Sequence, residues 1–486
     1  LQPENDTLEA IFRLSLSGPY TIGGSSPDFA TIGEAVTTLN TYHTCGPVTF
    51  RIRDGVYTEQ ISIDSIPTTS STNTITFESE SLDSSAVTIQ FTPPNSTKPA
   101  VFLLKGTDYV IFRHLGFKAL PSTFSDVLEL RYSADHITVS NCQFEGYQFG
   151  SSGVLIKCLN YGGLSDTMTI ENSYFLNGQQ AIYLYNGGFS QHEINIHQNT
   201  FVKQRFGGLD VSFIRGLYIL NNKFTSNTTS SSYKAIDLSS SDKYIEISGN
   251  DISLSSAGSG MFLDGMNYGY GDPNGTAHVF NNMIRSAGTG LGIGIWNGKR
   301  VYTSFNNVYA SGSGAAIELA GGDSIYVRNN VLTSNTGRAF SSFSVTPYVL
   351  SDYNDLYSNS GDLGFWNNIL YPTFAEWQLG TTFDSNSINV DPEFVSGTDL
   401  HVLADTLDGA GIPIAGISED FDGNPRNALM PDIGADEIGA NDDDAGVLAI
   451  LPEMPFARGT QDVKAIVRNY GGNTITSVDI HWVLNN

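Results

Sequence analysis

Three aspartates stand in short alternating runs near the middle of the chain: Asp210 in GLDVS (208–212), Asp237 in AIDLS (235–239) and Asp264 in GMFLD (260–264). A strand built from such a run turns its apolar pair to one face and its aspartate to the other. If these strands neighbour one another in a sheet, Asp210 and Asp237 fill the same slot on adjacent strands, roughly 5 Å apart. Two carboxylates so close raise one pKa and become the acid and carboxylate couple of glycoside cleavage. That spacing is near the ~5–5.5 Å of retaining enzymes, while Asp264, one strand further and two residues along, falls roughly 8 Å from Asp237, within the ~6.5–9.5 Å of inverting ones. Spacing alone leaves both pairings open.

Neighbouring runs carry what a sugar surface needs. AIYLY (181–185) offers Tyr183 and Tyr185, GIGIW (292–296) offers Trp296, and AIELA (316–320) offers Glu318, with Leu155 and Lys157 assigned to the same outward column. Aromatic faces stack on apolar sugar faces, and carboxylates accept hydroxyl hydrogens or move protons. Glu318 lies three strands from Asp237, about 14 Å, and is assigned to binding. Inserted segments add His192 and Phe189 (184–193), Tyr268 and Tyr270 (264–276), and the cations Lys203 and Arg205 of the KQRF turn (203–206). Those cations suggest contact with sulfate or uronate groups. Plainer roles compete: outward aspartates can be solvated, bound to calcium or neutralised by Lys234, and single exposed aromatics and surface cations are ordinary.

The elements that must position these residues are read from a repeat. Asn-x-apolar recurs as NTF at Asn199, NKF at Asn222, NDI at Asn250, NMI at Asn282, NVY at Asn307, NVL at Asn330 and NDL at Asn354, with Cys142 and Ser173 in the same slot earlier. Aligned on Phe144, Phe175, Phe201, Phe224, Ile252, Ile284, Tyr309, Leu332 and Leu356, the intervals are 31, 26, 23, 28, 32, 25, 23 and 24. Twenty-three residues hold three short strands and their turns, one coil of a β-helix, and longer intervals carry insertions. Asparagine at a fixed turn tolerates left-handed backbone and can bond the same residue on the next coil.

Such a repeat resembles the pectin-lyase-like family of right-handed parallel β-helices over roughly residues 15–440. The resemblance implies an all-β solenoid with substrate on the outside of the third strand of each coil, and it leaves the reaction open, because that fold carries lyases, hydrolases, esterases and adhesins. DFATIGEAVTTLNTY predicts a capping helix at about 31–42, with Thr31 and Glu34 as a capping box. SINVDPEF, DFDGNPR and PDIGADEIGA (about 384–440) resemble the closing segment of secreted bacterial β-helices, and the aspartates of DFDGNPR are candidate calcium ligands against a plain turn. Residues 441–486 read as a linker and the start of an adhesion-type immunoglobulin-like module, continuing beyond Asn486.

Composition agrees. Charged residues make up 15%, and 50 glycines accompany abundant Ser, Thr and Asn. The net charge of −26 disfavours nucleic acid and anionic membranes. The three cysteines, Cys45, Cys142 and Cys158, make no metal or redox spacing. No apolar run approaches the ~20 residues that span a bilayer, and a secreted, monomeric product with its export signal removed is expected. The best reading is an endo-acting glycoside hydrolase on an extended polysaccharide, sulfated and uronic chains included, using Asp210, Asp237 and Asp264 and requiring no cofactor. Two alternatives stand beside it. One is a calcium-dependent polysaccharide lyase with Lys203 or Arg205 as base, and the other a non-catalytic glycan-binding surface protein. The polygalacturonase set (NTD, a paired DD, GHG, RIK) is absent as a set, as are DFIFG and a WIDH-like signature.

Overall fold

A computed structural model describes residues 15–97, 99–147, 153–160, 167–186, 193–267, 274–344, 348–359, 361–438, 445–451, 464–469 and 475–480. The chain winds as a parallel β-helix whose coils each add one strand to three sheets, of 13, 12 and 13 strands among the described residues. The first sheet begins with Leu16–Ile22 and Thr44–Ile52, the second with Gly55–Thr58, and the third with Ile61–Ile63 and Ala100–Lys105. Described pairs in the three sheets are parallel except the last of the third, where Ile369–Tyr371 runs antiparallel to Gly364–Trp366. Alternation gives each strand one inward row of Val, Ile, Leu or Phe, and these rows merge into a single core.

Two inward columns hold successive coils in register. Phe117, Phe144, Phe175, Phe201 and Phe224 stack face to face at 5.0, 5.0, 4.9 and 4.5 Å. Beside them, at the turn from first to second sheet, Asn199, Asn222, Asn250, Asn282, Asn306, Asn330 and Asn354 form the expected ladder. In it, the Oδ1 of each asparagine accepts from the backbone N–H and the side-chain amide of the one before, as Asn282 does for Asn250 at 3.0 and 2.9 Å. Ser173 begins the column by donating its N–H to Asn199 Oδ1, and Ser387 and Asp384 end it at Asn354.

Two details differ from expectation. Asn306, not Asn307, holds the ladder position, and Val308, not Tyr309, is the inward apolar residue, because Val308 registers with Ile284 and Leu332. Asn307 instead points outward, donating to Leu400 O and accepting from Ala435 N–H. The left-handed residue is also not the ladder asparagine but the one before it, including Asn221 (φ 55°), Asn281 (φ 52°) and Asn329 (φ 56°). The ladder asparagines are thus selected for their amides, and the preceding position for its backbone.

Both ends are covered by helices, which removes exposed edges. Ile32–Tyr42 packs Ile32, Ala35, Val36 and Leu39 on the first coils, and Thr31 Oγ1 accepts from Glu34 N–H. Glu34 reaches Ala30 N–H rather than closing the box on Thr31, and Glu59 accepts from Ile32 and Gly33 N–H. At the other end, Phe374–Thr381 was not expected. It carries a full capping box from Thr373 and Glu376, and its fully buried Trp377 seals the last coil against Phe340. The closing segment then packs on the outer side of the second sheet, where Leu400, Val402 and Ala435 meet Met283 and Val331. Buried Arg426 bonds Asn281 and Glu437 and lies 3.9 Å over Phe305. Beyond it, Ala445–Leu451 pairs antiparallel with Lys464–Asn469, and residues 475–480 carry no strand. Most other residues of the expected immunoglobulin-like module, and the linker residues 441–444, lie outside the described residues.

Substituting Asn250 by Ala strips Asn222 of its acceptor and leaves the Ile219 carbonyl without its side-chain donor. At about 1–3 kcal/mol for each unsatisfied buried group, the folding free energy is expected to fall by about 2–5 kcal/mol, read as a lowered midpoint in denaturant unfolding followed by circular dichroism.

Candidate active site

The outer face of the third sheet carries the candidate residues in two columns fixed by parallel register. One runs Glu129, Lys157, Tyr183, Asp210, Asp237, Phe262, Gly294, Glu318, and the other Arg131, Leu159, Tyr185, Ser212, Ser239, Asp264, Trp296, Ala320. Asp210 and Asp237 are therefore direct partners on Gly207–Ser212 and Lys234–Ser239, and Asp264 sits one coil on and two residues along, as expected. Leu155 does not belong to this face. It is fully buried, and Lys157 pairs with Tyr183 and Leu159 with Tyr185, one step from the expected assignment. His192, Tyr268 and Tyr270 lie outside the described residues.

The two partnered aspartates have different environments. Gln180 Nε2 donates to Asp210 Oδ2 at 2.9 Å. Burial raises the Asp210 pKa, the Gln180 hydrogen bond lowers it, the Asp237 charge raises it and the Lys234 charge lowers it, with a net upward shift. Asp237 instead has a cation: Lys234 Nζ lies 2.8 Å from its Oδ2. The same ammonium lies 3.9 Å over the Phe262 ring, which adds cation–π attraction to the ion pair. Phe262 meets Trp296 edge on at 4.9 Å. Burial raises the pKa of Glu318 against the nearby Trp296 indole and the charge of Arg338, whose guanidinium lies over the Phe365 ring. Asp264 accepts from Asn297 Nδ2 at 3.1 Å. Tyr185 and Trp296 each expose 37% of their surface, and Tyr185 packs edge on against Phe213. Lys203 and Arg205 are exposed on the turn leading into Gly207–Ser212, outside both columns, and Arg205 rests over the ring of Phe206.

Sequence reasoning missed the lower end of this face. Arg131 makes two hydrogen bonds to the buried Glu129, at 2.8 and 2.9 Å, and Lys157 Nζ lies 2.8 Å from the fully buried Asp126. The signal was present in DVLELR (126–131), where a Glu and an Arg two residues apart interrupt an apolar run. Gln180 was likewise passed over, because a residue at the start of its strand lies outside the alternation used to find the columns.

On another face, His401, Asp422 and Asp436 of the closing segment hold ligand atoms within 4.8 Å of one another. His401 bonds Asp399 through Nδ1 at 2.5 Å and Asp422 through Nε2 at 3.0 Å. Burial opposes charge on this ring, but the Asp399 and Asp422 hydrogen bonds outweigh it and hold the pKa at about 10. A cation held by these three groups would compete with the proton on His401. Asp420, also in DFDGNPR, accepts from the backbone of Asp422, Asn424 and Glu437 and so pins the turn.

No family model matches the chain, and no curated protein matches it. Among solved structures it is similar to pectate lyase Pel9A, at 15% identity and a TM-score of 0.39, covering 87% of this chain and 97% of that one. It is also similar to a double mutant of the periplasmic alginate epimerase AlgG (14%, 0.40, 70% and 81%) and to the GH136 lacto-N-biosidase from Eubacterium ramulus (9%, 0.39, 72% and 66%). The fold assignment rests on this chain's own strand register and ladder.

Two measurements follow. An imidazolium with a folded pKa of about 10 against 6.5 unfolded stabilises fully below the unfolded value and loses that contribution as pH rises through the folded one. Thermal melts of the intact protein should therefore fall in midpoint from neutral pH to about pH 10, and His401→Gln should flatten that decline while lowering the neutral value. At the sheet face, Lys234→Met removes a charge that lowers the Asp210 pKa, so titration of that carboxyl, followed by carboxyl-labelled NMR, should move to higher pH.

Proposed function

We propose that this protein is a glycoside hydrolase that cleaves an extended polysaccharide lying across the third-sheet face, with Asp210 as general acid and Asp237 as nucleophile. The observation that carries this reading is the unequal environment of two carboxylates in one register slot. Asp210, raised in pKa and bonded to the neutral Gln180, is suited to keep a proton. Asp237, paired with Lys234, is suited to act as the carboxylate. In the scheme, Asp210 gives its proton to the glycosidic oxygen as the C–O bond breaks, and an oxygen of Asp237 bonds the anomeric carbon. Water then attacks that carbon, Asp210 takes the water's proton, and the ester to Asp237 breaks with its electron pair returning to the carboxylate. Adjacent strands about 4.8 Å apart fit this direct attack and favour retention over the Asp237 and Asp264 pairing.

Asp264, with its Asn297 partner, then serves substrate hydroxyls, as does Glu318, and Tyr183, Tyr185 and Trp296 supply sugar-stacking surface. A lyase would need a base within reach of a sugar carbon, and Lys203 and Arg205 stand at the margin of the face, which counts against them. No step of the scheme draws on a metal, and an extracellular site of action is part of the proposal.

Asp210→Asn and Asp237→Asn are each expected to reduce the rate of new reducing ends by at least about 10³-fold with unchanged circular dichroism. Full turnover by both variants would refute the assignment. Because Asp210 must be protonated, kcat/KM should fall as pH rises through its raised pKa, and Gln180→Leu, which deletes a hydrogen bond that lowers that pKa, should move the fall to higher pH.

A further inference from the structure

The closing segment covers the outer side of the second sheet around Met283 and Val331. Earlier coils of that side form a groove beneath the turn at residues 80–86, which joins Ile75–Ser79 to Val87–Phe91. The turn is held across the sheet in two ways. Gln143, two coils on, donates from Nε2 to Ser84 Oγ at 2.9 Å. Gly116 lets the turn lie close, since a Cβ there would stand 2.9 Å from Ser84 O. Between this turn and Tyr174 lies a cavity of about 320 Å³, adjoining a second with which it shares Ser84, Gln143 and Tyr174. The lining is mostly neutral and polar: hydroxyls of Ser84, Ser85 and Thr88, and the amides of Gln90 and Gln143. Gln90 Nε2 is bonded to Thr58 Oγ1 at 3.1 Å. Gln90 and Gln143 therefore each keep an Oε1 with no protein donor among the described residues. Tyr174 is 39% exposed, and among the described residues its ring meets no other aromatic and its hydroxyl has no partner. The charged groups are few. Lys118 Nζ lies 2.7 Å from Glu145, Asp83 accepts from the N–H and hydroxyl of Ser85, and His114 lines the adjoining cavity.

We infer that this groove is a second glycan-binding site, which holds neutral pyranose rings on a different face from the candidate active site. A pyranose has an apolar face of C–H groups and a rim of hydroxyls. The Tyr174 ring suits the first, and the free amide oxygens and the serine hydroxyls suit the second. A neutral ring leaves the Lys118 and Glu145 pair intact, whereas an anion would have to draw Lys118 away from Glu145 and a cation the reverse. A purely apolar ligand would bury the amides and hydroxyls without partners, which is costly. Tyr174 belongs to the same coil as Tyr183, the coil before Asp210. A chain held in the groove is thus anchored at the level of the carboxylate pair's near end, around the side of the solenoid. The inference shares a ligand class with the proposed function and none of its residues.

The test is affinity electrophoresis of the intact protein, with EDTA present, in gels containing a galactomannan, a xyloglucan, a mixed-linkage β-glucan, a polyuronate or a sulfated galactan. At least one neutral polymer is expected to retain the wild type. On that polymer Tyr174→Ala should raise the dissociation constant about fivefold. Gln90→Leu, which removes an acceptor without emptying the groove, should raise it severalfold. Both losses should persist in Trp296→Ala protein, because they belong to a different face. Gln90→Leu serves alone if Tyr174→Ala alters the circular dichroism. Retention that depends on Tyr185 and Trp296 but on neither Tyr174 nor Gln90 overturns the groove while leaving the third-sheet reading standing. Retention by the charged polymers alone, or by no polymer, also overturns it, and the release of reducing ends then judges the hydrolase reading separately.

Discussion

Parallel pairing of one coil upon the next fixes almost every distance in this molecule. A coil advances by one strand spacing, about 4.8 Å, and neither the core nor the candidate site can adopt another interval. The asparagine column enforces that spacing from within, because each amide bonds both the coil before and the coil after it. The phenylalanine stack does the same with ring contacts. Two aspartates in one register slot are therefore held close together whatever their mutual repulsion, and the unfavourable proximity is offset by folding energy distributed over the whole solenoid.

That constraint also explains how much could be read from the sequence. Period-two alternation inside a coil and a recurring asparagine between coils are local signals, so the β-helix, its third-strand columns and the Asp210, Asp237 and Asp264 geometry were accessible to inspection. The errors arose where a local pattern was degenerate. The Asn306–Asn307 doublet satisfies the repeat in two frames, and only the register of Val308 with Ile284 decides between them. Leu155 was misassigned because Val154, Leu155 and Ile156 form a continuous apolar run in which alternation has no phase. The helix Phe374–Thr381 has little apolar periodicity, yet its Thr373–Glu376 capping box was a readable sign that went unused.

The polar pairs on the outer face were hidden for a different reason. Arg131 with Glu129 joins residues of one strand, Lys157 with Asp126 joins neighbouring coils, and Lys234 with Asp237 spans three residues of a single strand. No single spacing describes all three, so the sequence showed charges without showing which were spent on one another. The difference between Asp210 and Asp237 depends on that distinction: Lys234 reaches one of them and Gln180 the other, so one carboxyl is raised in pKa beside a neutral partner and the other is ion-paired. The linked contacts from Asp237 through Lys234 and Phe262 to Trp296 then support this part of the face as a unit.

The central claim is that carboxylates on this face hydrolyse a glycan. The most direct measurement is to incubate the purified protein with a panel of neutral, uronic and sulfated polysaccharides and record reducing ends together with the ultraviolet absorbance of unsaturated sugar ends. New reducing ends without that absorbance is the result this account predicts. Reducing ends accompanied by the absorbance would contradict it in favour of elimination, and neither signal across the panel would contradict catalysis on this face altogether.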